Sequence, residues 1–509
     1  MNLIKSTGTF SFFTVLSRIS GYLRDILIAF FLGTGLIADA FFVAFRIPNT
    51  FRRLFSEGTF NAAFVPSYTN EQRFGKKKAD IFANQVFNLL LVILLFLVIL
   101  IEIFTPLFVS LLAPGFTGNE KKIDLAIELT RITFPFLLFV SLASFFAAIL
   151  NSNNKFAAAA ASPIILNIVL IITLLFSASI GDKLAYDLSY AVTVSGVIQL
   201  VFLYFFVKKY FTLKLSFDFR INQKIKFFFK KLLPSIFASG VTQINILIGT
   251  IIASFQAGAV SYLYYADRIY QINLAIAGIA LGVVVLPQLS KQIQSKNKEK
   301  ISFIQNKAVE LCLFLSLPAS IALLLGSEEI VSALFGYGSF DIVSIANSSR
   351  ALFYFAFGLP AFALIKIFSS FFFANDDTKT PFYISLVSVI LNVSISVYYF
   401  KEIGFIIIPI ATSISAWFNT TILFLYLLNK DLFKFKQIFL LQFIKISFAS
   451  IIMGIFFHHL LTSFHNYLEY GYSLKGIFIL IFVFLSLLFY LLVSFFIKAF
   501  KLSDIRTKY

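Results

Sequence analysis

The sequence predicts an all-α polytopic membrane protein with about 14 transmembrane helices, arranged as two pseudo-symmetric six-helix lobes plus two C-terminal helices. Three observations support this: the apolar content, the uneven sharing of Lys and Arg between alternate loops, and an internal similarity between the two halves. The 509 residues are 59% hydrophobic and only 13% charged, with a mean hydropathy of +0.90. Soluble domains are nearer half apolar and about a quarter charged.

Runs such as Asn88 to Ala113 and Lys475 to Ile497 exceed the roughly 20 apolar residues that cross a bilayer. Apolar windows between charged or turn-rich breaks give spans at 9–32, 37–60, 84–113, 127–150, 156–178, 184–207 and 232–255. The remainder fall at 259–288, 304–325, 347–373, 380–400, 404–428, 438–460 and 475–497. The first thirty residues read as a span and not as a removable signal, because Arg18, Arg24 and Asp25 interrupt the apolar core.

With the N-terminus inside, the cytoplasmic loops include RFGKKK (73–78), the basic segment 208–231, KQIQSKNKEK (291–300), KDLFKFK (430–436) and the tail. The opposite loops carry only Lys121, Lys122, Lys183, Lys401 and Lys475. On the positive-inside rule both termini are cytoplasmic, and the net charge of +18 is mostly topology. No nucleic-acid module accompanies that charge, so no nucleic-acid partner is expected.

AFRIPNTFRRLFSEGTFNAAFVPS (44–67) is similar to ADRIYQINLAIAGIALGVVVLPQLS (266–290), with Arg46 opposite Arg268. NSNNKFAAAAASPIILNIVLI (151–171) is similar to NDDTKTPFYISLVSVILNVSI (375–395), with Asn167 opposite Asn392. The offsets of 221–225 residues hold six spans, so the halves read as parallel repeats. The division is then 1–207 as the N-terminal lobe, 208–231 as a basic linker, 232–428 as the C-terminal lobe, and 429–509 as two extra helices and a basic tail. Paired repeats of this kind usually build alternating-access transporters.

The chain has 31 Lys but only 11 Arg. Eight of those arginines lie in or at the ends of spans: Arg18, Arg24, Arg46, Arg52, Arg53, Arg131, Arg268 and Arg350. Guanidinium is always charged and forks onto carboxylate or phosphate oxygens. Ser17, Arg18, Gly21, Arg24 and Asp25 share one face of the first span, and Asp39, Arg46, Asn49, Arg53 and Glu57 share one face of the second. A charge at mid-membrane costs at least about 2.5–3.5 kcal/mol, so such a group faces a wet cavity or a partner. Packing ion pairs account for Asp25 with Arg24 and Asp267 with Arg268, but leave a cationic excess. The implied ligand is an anion bearing phosphate.

Other features carry less. Cys312 reads as inert packing, and His458, His459 and His465 as a surface cluster. Glu128 with Arg131, and Glu310, read equally as pathway residues or span-end pairs. The Phe- and Tyr-rich stretches read as lipid-facing surface. No nucleophile–base pair, metal cluster or phosphate loop is visible, which argues against an enzyme and against a metal.

SRISGYLRDILIAFFLGTGLIADAFFVAFRIPNTFRRLFSEGTFNAAFVP resembles the opening signature of the MurJ (MviN) lipid II flippases, in the multidrug/oligosaccharidyl-lipid/polysaccharide exporter superfamily. YYADRIYQINLAIAGIALGVVVLPQLS and NDDTKTP resemble that family's eighth span and its loop between spans ten and eleven. The resemblance implies that the undecaprenyl-pyrophosphate-linked peptidoglycan precursor, lipid II, is flipped from the cytoplasmic to the periplasmic leaflet of the bacterial inner membrane. It implies substrate-binding roles for Arg18, Arg24, Arg52, Arg268, Asp25, Asp39 and Ser17. Glu57, Arg46, Arg53, Asn49 and Asp267 would line or gate the cavity, and the last two helices would hold the lipid tail.

Gln271 and Gly249 stand where relatives often carry acids, and Asp377 is a candidate ion residue. Coupling to the membrane potential or to a monovalent cation is therefore left open, with no organic cofactor expected. A monomer in contact with membrane lipids is expected, with the cell-wall synthesis machinery as a candidate partner. A flippase for another polyprenyl-pyrophosphate glycan, or an ion-coupled drug antiporter, is the alternative.

Overall fold

A computed structural model describes residues 3–56, 59–215, 222–434 and 437–499. These form nineteen α-helices with no strand among the described residues. The contacts divide the chain into two compact units, Met1–Ser261 and Tyr262–Tyr509.

The first unit contains α1 (Leu3–Leu32), α2 (Leu36–Ser56), α3 (Thr59–Gln72), α4 (Lys76–Ile103), α5 (Thr105–Leu112), α6 (Glu120–Thr133), α7 (Phe136–Ser152), α8 (Phe156–Phe176), α9 (Asp182–Val207) and α10 (Gln223–Ala253). The second contains most of α11 (Ala259–Leu274), then α12 (Leu281–Gln294), α13 (Lys298–Leu325), α14 (Ser327–Phe335), α15 (Ile342–Ala374), α16 (Lys379–Ile403), α17 (Ile407–Asn429), α18 (Gln437–Ser463) and α19 (Lys475–Phe496). A π-helical turn, Ala275–Ala280, joins α11 to α12.

Every expected span has a helix over it. Among the described residues, ten helical stretches are long and apolar enough to cross a membrane, and the one over Lys379–Asn429 combines α16 and α17. The chain is therefore a multi-pass membrane protein.

Helix limits follow from local chemistry. Asn119, Asn222, Asn297 and Asp341 cap α6, α10, α13 and α15, each side chain accepting from a backbone N–H three residues on, at 2.8–3.1 Å. The repeat is visible in the backbone as well as the sequence. Helix α7 ends on Asn153 with Asn154 left-handed at φ 59°, and Lys155 N–H donates to the Leu150 carbonyl at 2.8 Å. Helix α15 ends on Asn375 with Asp376 left-handed at φ 59°, and Asp377 N–H donates to the Phe372 carbonyl at 3.0 Å. Both ends close through the same six-to-one bond, on residues that tolerate this backbone.

The packing repeats too. In the first unit α9 packs on α7 and α8, and in the second α17 packs on α15 and α16. Helix α10, which the sequence repeat assigns to the second half, packs on α3 and α2 within the first unit.

The aromatic content goes inward more than the sequence implied. Phe60, Phe64, Phe82, Phe145 and Phe228 form the core of the first unit, with Phe64 and Phe145 rings 5.1 Å apart. Phe368, Phe371 and Phe433 surround the buried Cys312 cluster in the second. Lys475, expected in a loop, is fully buried. Its ammonium donates to the Gly336 and Tyr470 carbonyls, both at 2.7 Å, and lies over the Tyr337 and Tyr470 rings. This cation fixes the start of α19 to the loop after α14.

One backbone crossing in the first unit leaves no room for a side chain. A Cβ on Gly115 would lie 2.3 Å from the Ser254 carbonyl oxygen and 2.4 Å from the Phe255 Cα. Gly115 N–H also donates to Ser254 Oγ at 3.0 Å. Gly115→Ala is expected to lose about 1–3 kcal/mol through overpacking. A drop of several degrees in the thermal unfolding midpoint of the purified protein would show it, and an unchanged midpoint would contradict the crossing.

Candidate functional site

Two of the charged residues singled out in α1, Arg24 and Asp25, meet in one cluster in the first unit. Arg24 and Asp25 are both buried. The Arg24 guanidinium donates to Asp25 Oδ1 from Nε at 3.0 Å and from Nη2 at 2.6 Å, and from Nη1 to Asn167 Oδ1 at 2.9 Å. It also lies 5.8 Å from the centre of the Phe45 ring. Asn167, on α8, donates in turn to the Ser17 carbonyl at 3.0 Å and to Ser20 Oγ at 3.1 Å. One amide side chain thus orients the guanidinium and ties it to its own helix. Arg18 is exposed, and among the described residues no hydrogen bond or ion pair reaches it.

Asp39 opens α2 and is wholly buried. Its Oδ2 accepts from Lys122 Nζ at 2.7 Å and from Gly258 N–H at 2.8 Å. Its Oδ1 accepts from Ser261 N–H at 2.9 Å and Ser261 Oγ at 2.8 Å. Four donors on two oxygens satisfy the carboxylate completely. Lys122, read in the sequence as a loop lysine, is buried as well and lies 4.0 Å from the Phe116 ring centre. Asp39 therefore gathers α2, the start of α6 and the start of α11. The sequence offered no pattern for this, because two of the four donors are backbone groups and Lys122 sits in a polar stretch.

Farther along α2, half-buried Arg46 donates to Thr250 Oγ1 of α10. Asn49 is half-buried. The side chains of Arg52 and Arg53 lie outside the described residues, as does Glu57 altogether.

In the second unit Arg268 and Asp267 are neighbours on α11, both half-buried. The Arg268 guanidinium lies 4.5 Å from the Tyr264 ring centre. Gln271 donates to the Asp267 carboxylate one turn on, a bond that an acid at this position would turn into repulsion. Asp377 lies in the loop after α15 and accepts from Thr380 N–H at 3.0 Å, Thr380 Oγ1 at 2.7 Å and Lys430 Nζ at 2.9 Å. Partial burial pushes its carboxyl upward, and these donors outweigh that, holding it down at about 2. It is fully ionised at neutral pH and paired with Lys430.

Two further acids also find partners. Glu310 meets Lys307 at 2.6 Å, and Glu128 accepts from Tyr186. His458, His459 and His465 are exposed, and no group of three metal-binding side chains occurs among the described residues.

A consistent distribution results. Asp25, Asp39, Asp267 and Asp377 each accept from internal donors, whereas Arg18 stands accessible. Breaking a buried pair costs about 3–5 kcal/mol, because the other charge stays buried. Asp39→Asn is therefore expected to destabilise strongly, and adding Lys122→Met is expected to restore part of the loss. Unfolding midpoints of the single and double variants test this; equal losses in both would contradict it.

The profile of the family described as lipid II flippase MurJ matches residues 28–479. A probable lipid II flippase MurJ of Rhizobium tropici is 40% identical over 436 residues, covering 84% of this chain and 82% of that protein. One from Rickettsia prowazekii is 37% identical over 475 residues, covering 93% and 92%. Among solved structures, a lipid II flippase MurJ in an inward closed conformation superposes with a TM-score of 0.82 at 28% identity, covering 96% of this chain and 98% of that one. An inward-facing multidrug resistance transporter of the MATE family superposes with a TM-score of 0.69 over 81% of this chain and 94% of that one, at 17% identity, and shares the fold. The expected helical architecture and the expected family therefore agree, and this chain belongs to the lipid II flippase MurJ family.

Proposed function

We propose that this chain flips lipid II across the bacterial cytoplasmic membrane by alternating access, taking the pyrophosphate headgroup onto a set of cations carried by α1, α2 and α11. The observation that carries the reading is the unequal fate of the charges. Asp25, Asp39, Asp267 and Asp377 are engaged by internal donors, while the cations in or beside the spans outnumber these acids and include accessible Arg18. Cationic charge in excess of the acids within the spans is suited to a ligand that brings the anion with it. A drug antiporter would want available carboxylates instead, and those described here are occupied.

In this reading Arg24 is pre-oriented. Asp25 and Asn167 fix the guanidinium plane, so little side-chain entropy is lost when phosphate oxygens arrive. Arg18, Arg52 and Arg268 add charge; Ser17, Asn49, Asp267, Arg46, Arg53 and Glu57 line or gate the path. The two six-helix repeats act as the moving lobes, with α18 and α19 holding the lipid tail.

The Lys and Arg bias among the loops supports cytoplasmic termini and outward movement of the headgroup. The lipid crosses without covalent change, so the protein is a transporter and not an enzyme. A single chain suffices, with the cell-wall synthesis machinery supplying and consuming the lipid. The membrane potential is the driving force we favour over a bound monovalent cation, because Lys430 already neutralises Asp377. The potential acts on each charge moved by about 2.3 kcal/mol per 100 mV.

The test is complementation. In a bacterium depleted of its own flippase, this chain is expected to restore periplasmic exposure of lipid II. Arg24→Ala and Arg268→Ala, at matched membrane levels, are expected to fail. Rescue by both variants would remove the cationic account, and failure of the well-expressed wild type would remove lipid II as the substrate.

A further inference from the structure

Pro48 lies inside α2, two residues after Arg46 and four before Arg52. Proline has no N–H, so the Ala44 carbonyl four residues back loses its helical donor, and the ring crowds that carbonyl and favours a bend. Ala44 is wholly buried, and a buried carbonyl left without a donor is costly. The donor comes from another helix. Thr133, wholly buried at the end of α6, gives its Oγ1 hydrogen to the Ala44 carbonyl at 3.0 Å. The Thr130 carbonyl on its own helix is a second acceptor within reach, at 3.3 Å.

The second unit caps its proline-freed carbonyls in the same way. Pro318 in α13 frees the Phe314 carbonyl, which accepts from Tyr490 Oη of α19 at 2.8 Å. Pro360 in α15 frees the Ala356 carbonyl, which accepts from Ser320 Oγ of α13 at 2.7 Å. A hydroxyl lent by the neighbouring helix is therefore a repeated device of this fold. Pro318 and Pro360 have no charged residue within four positions, so capping there sets no cation's direction. Pro48 has both Arg46 and Arg52 within that distance. Half-buried Arg46 and Asn49 flank it, and Arg52 and Arg53 follow along α2.

We propose that Thr133 is a positioning residue for the pyrophosphate: by donating to the Ala44 carbonyl it sets the bend of α2 at Pro48, and with it the course of the cation-bearing half of that helix. The proposal rests on the lipid II reading above, in which cations of α2 help to receive the headgroup. Thr133 acts through the α2 backbone and not on the substrate. Without its hydroxyl the Ala44 carbonyl is buried and unpaired, and α2 relieves this by changing its bend. A guanidinium forked onto phosphate oxygens depends on direction as well as distance, so a changed bend costs affinity.

Binding of lipid II, and of a polyprenyl pyrophosphate without sugar or peptide, to the full chain in lipid nanodiscs tests this. Thr133→Val keeps the volume and removes the donor. It is expected to weaken both lipids about tenfold, as loss of one charge-assisted hydrogen bond does, and to flatten the salt dependence because fewer cations engage. Thr133→Ser should keep the wild-type affinity. Pro48→Ala removes the bend and should weaken binding to a similar degree. It also gives the Ala44 carbonyl an N–H of its own helix, so adding Thr133→Val to Pro48→Ala should cost nothing more. An equal loss from Thr133→Val in both backgrounds would overturn the proposal in favour of ordinary packing. Wild-type affinity in Thr133→Val or in Pro48→Ala would overturn it outright. If Thr133→Val alone does not fold, the pair decides: binding like Pro48→Ala supports the proposal, and failure to fold overturns it. Absence of lipid II binding by the wild type would overturn the transport reading first, and the proposal with it.

Discussion

Charge in a low-dielectric interior has to be matched, and this requirement organises the first unit. Asp39 is the clearest case. A carboxylate removed from water accepts four donors, and those donors come from three residues in two distant parts of the chain. Holding Lys122, Gly258 and Ser261 together brings the segment after α10 against the start of α6, where Gly115 permits backbone contact with Ser254. The same requirement shapes Arg24, whose guanidinium is satisfied by Asp25 and Asn167 and is thereby aimed. Satisfying the acids internally leaves a surplus of cations. That surplus connects the packing of the protein to the chemistry of its substrate.

Much of the fold was legible because membrane spans obey simple rules of length and apolarity. Each expected span carries a helix, and even the turn at 375–379, similar in sequence to 151–155, repeats as a backbone motif with a left-handed residue at the same position and the same closing bond. The placement of α10 was not legible. Sequence similarity records descent of the halves, whereas compactness records which surfaces touch, and α10 lies on α2 and α3. Nor could the inward turn of the phenylalanines be read. In a chain this apolar, periodicity no longer separates a lipid-facing ring from one stacked in a core, as Phe64 stacks on Phe60.

The site divides in the same way. Arg24 with Asp25 could be seen because adjacent opposite charges in a span are rare and conspicuous. Asn167 was visible as a mark of the repeat, but its bond to Arg24 crosses 143 residues and had no local signal. Lys122 and Lys475 looked like loop lysines because they begin helices next to polar residues. Both are buried, one against a carboxylate and the other against carbonyls and rings.

The central claim is that the pyrophosphate is what the cations recognise. The most direct measurement is equilibrium binding of the purified chain to lipid II and to a lipid bearing the same sugar and peptide on a neutral, phosphate-free linkage. The account predicts that removing the phosphates weakens binding at least about tenfold, since two or more charge-assisted hydrogen bonds are lost, and that the difference shrinks as salt is raised. Equal affinity for the two lipids, insensitive to salt, would contradict it.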